Sequence, residues 1–223
     1  MVPNNRPWEG WGPYVYGTVL WDDGKLKMWY QCIAVEGKLR SRTCYAESLD
    51  GITWGKPNLG IVEHGGSKAN NIFADGECGI ASVIKAPEPG SPDESWAVYS
   101  FGGEAGPHVA FSEDGLHWRW DEDPRYQRLF GSSDVVNFFY DPYTKRYTST
   151  YKTHNRRHRA AGIALSEDGI NWHKPVEGPV FGADDLDPDA TQVYGMPVFP
   201  YQGLYIGLPE DINTEVDEGV RRL

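Results

Sequence analysis

The chain has 223 residues, of which 39% are hydrophobic and 24% are charged, and its formal net charge at pH 7 is −11. This length and apolar content are sufficient for a buried core, so we expect a globular protein rather than a disordered one. The acidic excess argues against a nucleic acid or an anionic membrane surface as a partner, because both require a basic patch, and we expect neither.

No apolar stretch approaches the roughly 20 residues that span a bilayer, and the residues from Met1 to Arg6 lack the apolar core of a secretion signal. The sequence therefore predicts no membrane segment and leaves the compartment open. The protein is periplasmic or extracellular if a signal has been removed, and cytoplasmic otherwise.

Composition also indicates the fold class. The chain contains nine Trp, 13 Tyr and eight Phe together with 26 Gly and 16 Pro. Aromatic side chains fit the pleated surface of a sheet, and Gly and Pro are residues of tight turns. We therefore predict an all-β protein with few helices.

One seven-residue phrase, S-x-D-G-x-x-W, occurs three times, at Ser48–Trp54, Ser112–Trp118 and Ser166–Trp172. The copies begin 64 residues (48 to 112) and 54 residues (112 to 166) apart. These spacings exceed those of short solenoid repeats and suit a four-stranded blade with long loops. The sequence predicts a β-propeller of four-stranded antiparallel blades that forms a single domain over residues 1–223.

The predicted strands follow one another as meanders separated by turn residues. The first unit, about residues 11–58, contains Tyr14–Trp21, Lys25–Ile33, Arg42–Ser48 and Trp54–Pro57. The second, about residues 70–121, contains Gly79–Lys85, Ser95–Phe101, His108–Ser112 and His117–Trp120. The third, about residues 133–176, contains Val135–Tyr140, Arg146–Lys152, Gly162–Ser166 and Asn171–His173. A partial fourth, residues 190–223, contains Tyr194–Phe199 and Gly203–Leu208, followed by a polar tail.

About three and a half blades leave apolar blade faces uncovered, which closure of a propeller normally prevents. We therefore expect an incomplete propeller in this chain. Three alternatives stay open: the chain is part of a longer protein, a second copy covers the open edge in a homo-oligomer, or the terminal segments fold back over it.

Each repeated phrase carries an acidic residue directly before a glycine: Asp50, Asp114 and Asp168. An Asp side chain can accept hydrogen bonds from backbone N–H groups two residues further on, while Gly adopts a positive φ. We predict that these residues build turns and that the Trp of each phrase packs between blades. The phrase then marks the fold and does not perform chemistry.

Polar residues at the start of the innermost strand of each blade are expected to converge on the axis of a propeller. Each predicted blade begins near at least one acidic residue, and the four catalytic candidates are Glu9, Glu77, Asp134 and Asp189. The substrate-binding candidates are Trp8, Trp11, Asn71, Asn137, Arg156, Gln192 and Tyr194. Structural alternatives stay open: Glu9 opens a strand, the acids of 184–187 form a solvated loop, and the basic run 154–159 is a hairpin tip.

Acidic residues that converge at one site must share protons, separate their pKa values or bind a cation. Glycoside hydrolysis uses such a site, because one carboxylate is ionised while another is protonated as the general acid. The chain has no H-E-x-x-H or C-x-x-C motif, so we predict no catalytic metal and no cofactor. A structural cation among the acids stays open.

Four segments carry a family resemblance: Thr43–Pro57, Asn70–Ile72, Ser166–Trp172 and Gln192–Pro197. They resemble bacterial proteins similar to the N-terminal domain of glycoside hydrolase family 32, in a superfamily of five-bladed propellers that also includes arabinanases and β-xylosidases. The resemblance implies a five-bladed type of fold and a hydrolase acting on a glycan, such as a furanoside, through paired carboxylates.

The chain departs from the motifs of the fructosidases in that family. It has no N-D-P-N-G and no R-D-P sequence, and Glu77-Cys78 is followed by Gly79 where the family's acid motif has Pro. Three alternatives therefore stay open: a carbohydrate-binding propeller without catalysis, an inactive partial chain, and a structural or assembly protein without a ligand.

Two of the three cysteines, Cys32 and Cys44, become cross-strand neighbours if the second and third predicted strands form a hairpin. Such a pair can form a disulfide bond under oxidising conditions. We expect two buried free thiols, because cysteine is common in protein interiors without a disulfide bond.

Overall fold

The computed structural model describes residues 2–36, 38–76, 79–101, 106–120, 123, 125–155, 158–213 and 221–222. Strands dominate it, and the helices in this part of the chain are two single turns of 3₁₀ helix, Pro7–Glu9 and Pro92–Glu94. No helix of the described residues is long and apolar enough to cross a membrane. The all-β prediction is confirmed.

The strands in chain order are β1 Pro13–Asp22, β2 Lys25–Glu36, β3 Lys38–Ser48, β4 Ile72–Gly76, β5 Gly79–Lys85, β6 Trp96–Phe101, β7 Pro107–Ser112, β8 Val136–Asp141, β9 Arg146–His154, β10 Arg159–Ser166, β11 Trp172–His173, β12 Phe181–Gly182, β13 Thr191–Gly195, β14 Val198–Tyr201, β15 Leu204–Gly207, β16 Glu210–Asn213 and β17 Arg221–Arg222. They belong to two compact units. The first consists of Met1–Gly102 and Ala110–Trp120, and the second of Gly103–Val109 and Asp121–Leu223.

The first sheet of the first unit has four antiparallel strands in the order β1-β2-β3-β4. Its fourth strand is β4, which pairs with β3, and not the predicted strand Trp54–Pro57. That segment makes a single bridge, between Gly55 and Glu47. Pro57 has no N–H to donate to a ladder, whereas β4 begins with Ile and Phe, residues that favour strands.

The first sheet buries both of its faces. Successive residues of a strand point to opposite faces, and β2 sends Trp29 to one cluster and Met28 and Tyr30 to the other. The Trp29 cluster includes Val83 and Trp96 of the second sheet, whose strands lie in the order β5-β6-β7. Apolar packing between sheets therefore holds this unit together.

The main sheet of the second unit has the order β11-β10-β9-β8, and β12 pairs with β10. Its strands agree with those predicted for residues 133–176 within a few residues. A cluster of four aromatic rings packs on it, with ring centroids 5.2 to 6.0 Å apart: Phe130, Phe138, Tyr151 and Trp172. Aromatic pairs at these distances add to the area that they bury.

Strands β13 to β16 form one hairpin with two successive ladders. Val193 of β13 pairs with Asp211 of β16, and Val198 of β14 pairs with Gly207 of β15. Pro197 and Pro209 lie between these two ladders, and neither has an N–H for the sheet. The prediction that the chain after Leu208 is a polar tail was therefore wrong for β16, which continues the hairpin.

The three repeated phrases form the same turn. In each, the Ser hydroxyl accepts from the Gly N–H at 2.9 Å, and one Asp oxygen accepts the N–H groups two and three residues later at 2.7 to 2.9 Å. The glycines Gly51, Gly115 and Gly169 have φ between 73° and 77°. Hydrogen bonds from the backbone of Thr53 and Ile52 lower the pKa of Asp50 to about 2. These contacts support the predicted role of the phrase in turn formation.

Candidate functional site

Glu9 of the first unit is fully buried and accepts four hydrogen bonds. One carboxylate oxygen accepts from the backbone N–H groups of Asn5 and Arg6, both at 3.0 Å. The other accepts from the hydroxyl of Tyr30 at 2.8 Å and from the ammonium group of Lys56 at 2.5 Å. Two carboxylate oxygens offer about four lone-pair sites, so these donors occupy the acceptor capacity of Glu9.

Two predicted binding residues belong to the same buried network. The indole N–H of Trp8 donates to the side-chain oxygen of Asn71 at 2.8 Å. The amide of Asn71 donates to the hydroxyl of Tyr30 and to the backbone carbonyl of Tyr45, both at 2.8 Å. These contacts tie the 3₁₀ turn to β2 and β3, an arrangement that anchors the segment before β1.

Lys56 completes this anchor. Its side chain is 2% exposed, and its ammonium group donates to the carbonyl of Pro3 at 2.5 Å and to the side chain of Asn5 at 3.0 Å, besides its bond to Glu9. All three ammonium protons have acceptors, which a buried lysine needs. Trp11 differs from these residues, because its side chain is 62% exposed. Glu77 lies outside the described residues.

A second cluster lies in the second unit and is built around Asp134. Its carboxylate forms an ion pair with Lys152 of β9 and accepts a hydrogen bond from the hydroxyl of Tyr194 at 3.2 Å. The ammonium group of Lys152 also lies 4.1 Å from the centroid of the Tyr194 ring, which is a cation–π contact. The structure thus brings together two predicted residues, Asp134 and Tyr194, with a lysine that the sequence did not indicate.

Burial alone would raise the pKa of Asp134, but the hydrogen bond and the positive charge of Lys152 outweigh it, with a further contribution from the hydroxyl of Ser133. The pKa of this carboxyl therefore lies below its usual value. The side chain of Asp134 is 54% exposed, whereas that of Lys152 is 5% exposed. Asp134 is an ionised carboxylate with one side open to solvent.

Arg159, at the start of β10, extends the cluster. Its guanidinium group donates to the side-chain oxygen of Gln192 at 2.8 Å and lies 5.8 Å from the Tyr194 ring centroid. Gln192 is thus the third predicted residue in this cluster, and Arg159 is a second member that sequence reasoning missed. Asn137 lies opposite Thr150 in the ladder between β8 and β9, and Arg156 lies outside the described residues.

These residues share one end of the second unit. Asp134 precedes β8, Lys152 lies near the end of β9, and Arg159 begins β10. Because neighbouring strands here are antiparallel, the start of β8, the end of β9 and the start of β10 meet at the same edge of the sheet. Gln192 and Tyr194 join them from β13.

An acidic cavity of about 470 Å³ also lies in the second unit. The residues that line it include Asn155, His158 and the carboxylates Asp184, Asp185, Asp187 and Asp189. Asp189 is exposed in this cavity. No three His, Cys, Asp or Glu side chains in the described part of the chain are grouped closely enough to hold a metal ion.

Comparison with known proteins identifies the fold. No protein-family model matches the chain, and no curated protein matches it either. Solved structures do match, among them one described as a glycoside hydrolase, which is 16% identical over 94% of this chain and 67% of that chain, with a TM-score of 0.63. A thermostable family-43 glycoside hydrolase is 13% identical over 94% of this chain and 70% of its own, with a TM-score of 0.54.

A third match is a mutant family-32 β-fructofuranosidase from Bombyx mori in complex with sucrose, 14% identical over 92% of this chain and 42% of that chain, with a TM-score of 0.57. At these identities the likeness concerns the fold. This likeness confirms the predicted resemblance in fold to the propeller glycoside hydrolases and the prediction of antiparallel propeller blades. The chain covers part of each of these solved structures.

Proposed function

We propose that this chain carries part or all of a glycoside hydrolase site, with Asp134 as its ionised carboxylate. The observation that supports the proposal is the cluster of Asp134, Lys152 and Tyr194 at one end of a sheet. The fold of the chain is similar to that of solved glycoside hydrolases. Glycosidases need one carboxylate that is ionised when the reaction begins, so that it can accept a proton as base or attack the sugar as nucleophile. The lowered pKa of Asp134 suits that role and does not suit a general acid.

The second carboxylate of the pair is proposed to be Asp189. Asp189 lines the acidic cavity. Thr191 lines the same cavity and belongs to β13, the strand that also carries Tyr194. The separation of the two carboxyl groups in the complex with substrate would decide whether the sugar configuration is retained or inverted. Glu9 is not proposed as a catalytic residue, because its four hydrogen bonds assign it to the anchor before β1.

The proposed ligand is a carbohydrate, and a furanoside is the first class to test. Sucrose, bound in the family-32 neighbour, contains a fructofuranoside unit, and carbohydrate is the ligand class that the fold likeness supports. Tyr194 offers an aromatic face and a hydroxyl, and Arg159 and Gln192 offer further polar groups beside it. Such a mixture of ring and polar groups suits a sugar, which has both apolar faces and hydroxyls.

The test is hydrolysis of a panel of aryl α-L-arabinofuranosides, β-D-xylosides and β-D-fructofuranosides by the wild-type chain and by Asp134→Asn. We expect Asp134→Asn to lower kcat/KM by roughly 10²- to 10⁴-fold, the range for loss of a positioned acid–base group. Glu177→Gln is the matched control, because Glu177 is an exposed acid of the same unit, and it is expected to keep the wild-type rate.

Equal rates in wild type and Asp134→Asn would overturn the assignment of Asp134. Binding of the same sugars without turnover, measured by calorimetry, would instead favour a carbohydrate-binding propeller without catalysis. Loss of activity in Asp189→Asn with unchanged activity in Asp185→Asn would support Asp189 as the second carboxylate.

A further inference from the structure

Lys152 stands out in the second unit because a buried ammonium group is costly unless it is paired. Its side chain is 5% exposed, yet its ion-pair partner Asp134 is 54% exposed. In the ladder Lys152 lies opposite Ala161 of β10, whose small side chain leaves room beside it. The ammonium group is therefore held inside the unit, while the carboxylate that it contacts faces outward.

The backbone of Lys152 holds the same loop that carries Asp134. Its N–H donates to the carbonyl of Val135 at 2.8 Å, and its carbonyl accepts from the N–H of Ser133 at 3.3 Å. The residues on both sides of Asp134 are thus bonded to the backbone of Lys152, while its ammonium group contacts the carboxylate itself. This arrangement fixes the loop independently of the lysine side chain.

We infer that Lys152 is a positioning residue that holds the carboxylate of Asp134 in place beside Tyr194 at the proposed site. The catalytic consequence of this inference rests on the proposed function. The contacts between Lys152 and Asp134 do not depend on it. Among the described residues, the charged and titratable groups around Asp134 include Lys152 from β9, Tyr194 from β13 and, beyond the Tyr194 ring, Arg159 from β10. Lys152 is the cation of this set that contacts the carboxylate directly.

The exposure of Asp134 makes its carboxylate accessible to a ligand. Asp134 keeps about half of its side chain open, so that an oxygen can meet a ligand while the ammonium group stays behind it. The charge of Lys152 is already in place beside the carboxylate of Asp134, so it stabilises that carboxylate without reorganisation during the reaction.

The experiment titrates Asp134 by ¹³C NMR of its side-chain carboxyl group, identified from the signal that Asp134→Asn removes. We expect the pKa of Asp134 to rise in Lys152→Met, because the favourable charge is lost, and to return toward the wild-type value in Lys152→Arg. Lys145→Met is the matched control, since Lys145 is exposed in the turn between β8 and β9 at the far end of the sheet. An unchanged pKa in folded Lys152→Met would overturn the inference.

Kinetics provide the second readout. Removal of Lys152 should lower kcat/KM by on the order of 10- to 100-fold through misplacement of the carboxylate. The acid limb of the pH profile should also move to higher pH in Lys152→Met and recover in Lys152→Arg. A stability loss with an unshifted pH profile would show a structural role only. If the wild type hydrolyses no glycoside, the proposed function fails, while the NMR titration still decides the role of Lys152.

Discussion

The indole N–H of Trp29 donates to the backbone carbonyl of Gly115 at 2.6 Å. Gly115 belongs to the second copy of the repeated turn, whereas Trp29 lies in β2, and the bond is buried. Trp118, the tryptophan of that second copy, has a buried indole N–H without a hydrogen-bond partner in the described part of the chain. In this copy the glycine carbonyl of the turn therefore accepts from Trp29.

The other two copies show what Trp29 displaces. Trp54 donates to the carbonyl of Gly51 at 3.2 Å, and Trp172 donates to the carbonyl of Gly169 at 2.9 Å. In these copies the tryptophan closes its own turn. The second copy exchanges that local bond for one that joins the turn to the first sheet of the same unit.

The first prediction follows from this exchange: Trp118→Phe should cost less stability than Trp172→Phe. Both changes remove similar volume, but only Trp172 loses a hydrogen bond, worth about 0.5–1.5 kcal/mol, while Trp118 loses a buried donor that has no partner. Urea unfolding followed by circular dichroism measures the difference. An equal or larger loss for Trp118→Phe would show that its N–H is satisfied.

The second prediction concerns acid unfolding and Asp114. Burial alone would raise the pKa of Asp114, but hydrogen bonds from the backbone and side chain of His117 outweigh it and hold the pKa well below its usual value. A group with a lowered folded pKa stabilises the protein above its unfolded pKa, about 3.9, and this contribution disappears as the pH falls toward the folded pKa.

We therefore expect Asp114→Asn to lower the free energy of unfolding by on the order of 1 kcal/mol at pH 7, with the difference from wild type shrinking below about pH 4. Glu113→Gln, at the neighbouring exposed position, serves as the control and should follow the wild type. A difference between Asp114→Asn and wild type that is independent of pH would contradict the linkage.

Much of the fold was predictable because local signals specify it. The repeated turns placed the ends of β3, β7 and β10 and the start of β11, since Ser, Asp and Gly in that order satisfy the backbone of the turn by themselves. The fourth strand of the first sheet was not predictable in the same way. Both Trp54–Pro57 and β4 follow β3 in sequence, and tertiary packing decides which of them pairs with it.

The candidate site was predictable only in part. Polar and aromatic side chains near strand starts indicated Asp134, Gln192 and Tyr194, which the structure places together. Lys152 was not indicated, because its partner Asp134 is distant in sequence and the backbone bonds of Lys152 to Ser133 and Val135 bring the two together. The role of Glu9 depends on Lys56, 47 residues later, a contact that no local pattern shows.

The third prediction is that Glu9 and Lys56 act as one buried pair. Loss of one partner leaves the other charge buried without compensation, so Glu9→Gln and Lys56→Met should each destabilise the protein by about 3–5 kcal/mol. The double variant should lose clearly less than the sum of the two, because no unpaired charge remains. A double-mutant cycle in urea measures this coupling.

The half-exposed pair Asp93 and Arg119 is the control for that cycle. Both side chains are 52% exposed, so Asp93→Asn is expected to cost below about 1 kcal/mol. If the losses of unfolding free energy in Glu9→Gln and Lys56→Met add up in the double variant, the two residues do not act as one buried pair. A loss of hydrolysis in folded Glu9→Gln at unchanged stability would instead return Glu9 to the catalytic residues.

The fourth prediction is that Cys32 and Cys44 are unreactive in the folded chain. Their sulfur atoms are 3.7 Å apart as free thiols, and both side chains are buried. The hydrogen bond with Cys32 and burial both raise the pKa of Cys44, so the nucleophilic thiolate is scarce at neutral pH. In a Cys78→Ser background we expect iodoacetamide to label neither thiol in buffer and both in urea. Rapid labelling of the folded chain, or a mass lower by two hydrogens without added oxidant, would contradict this state.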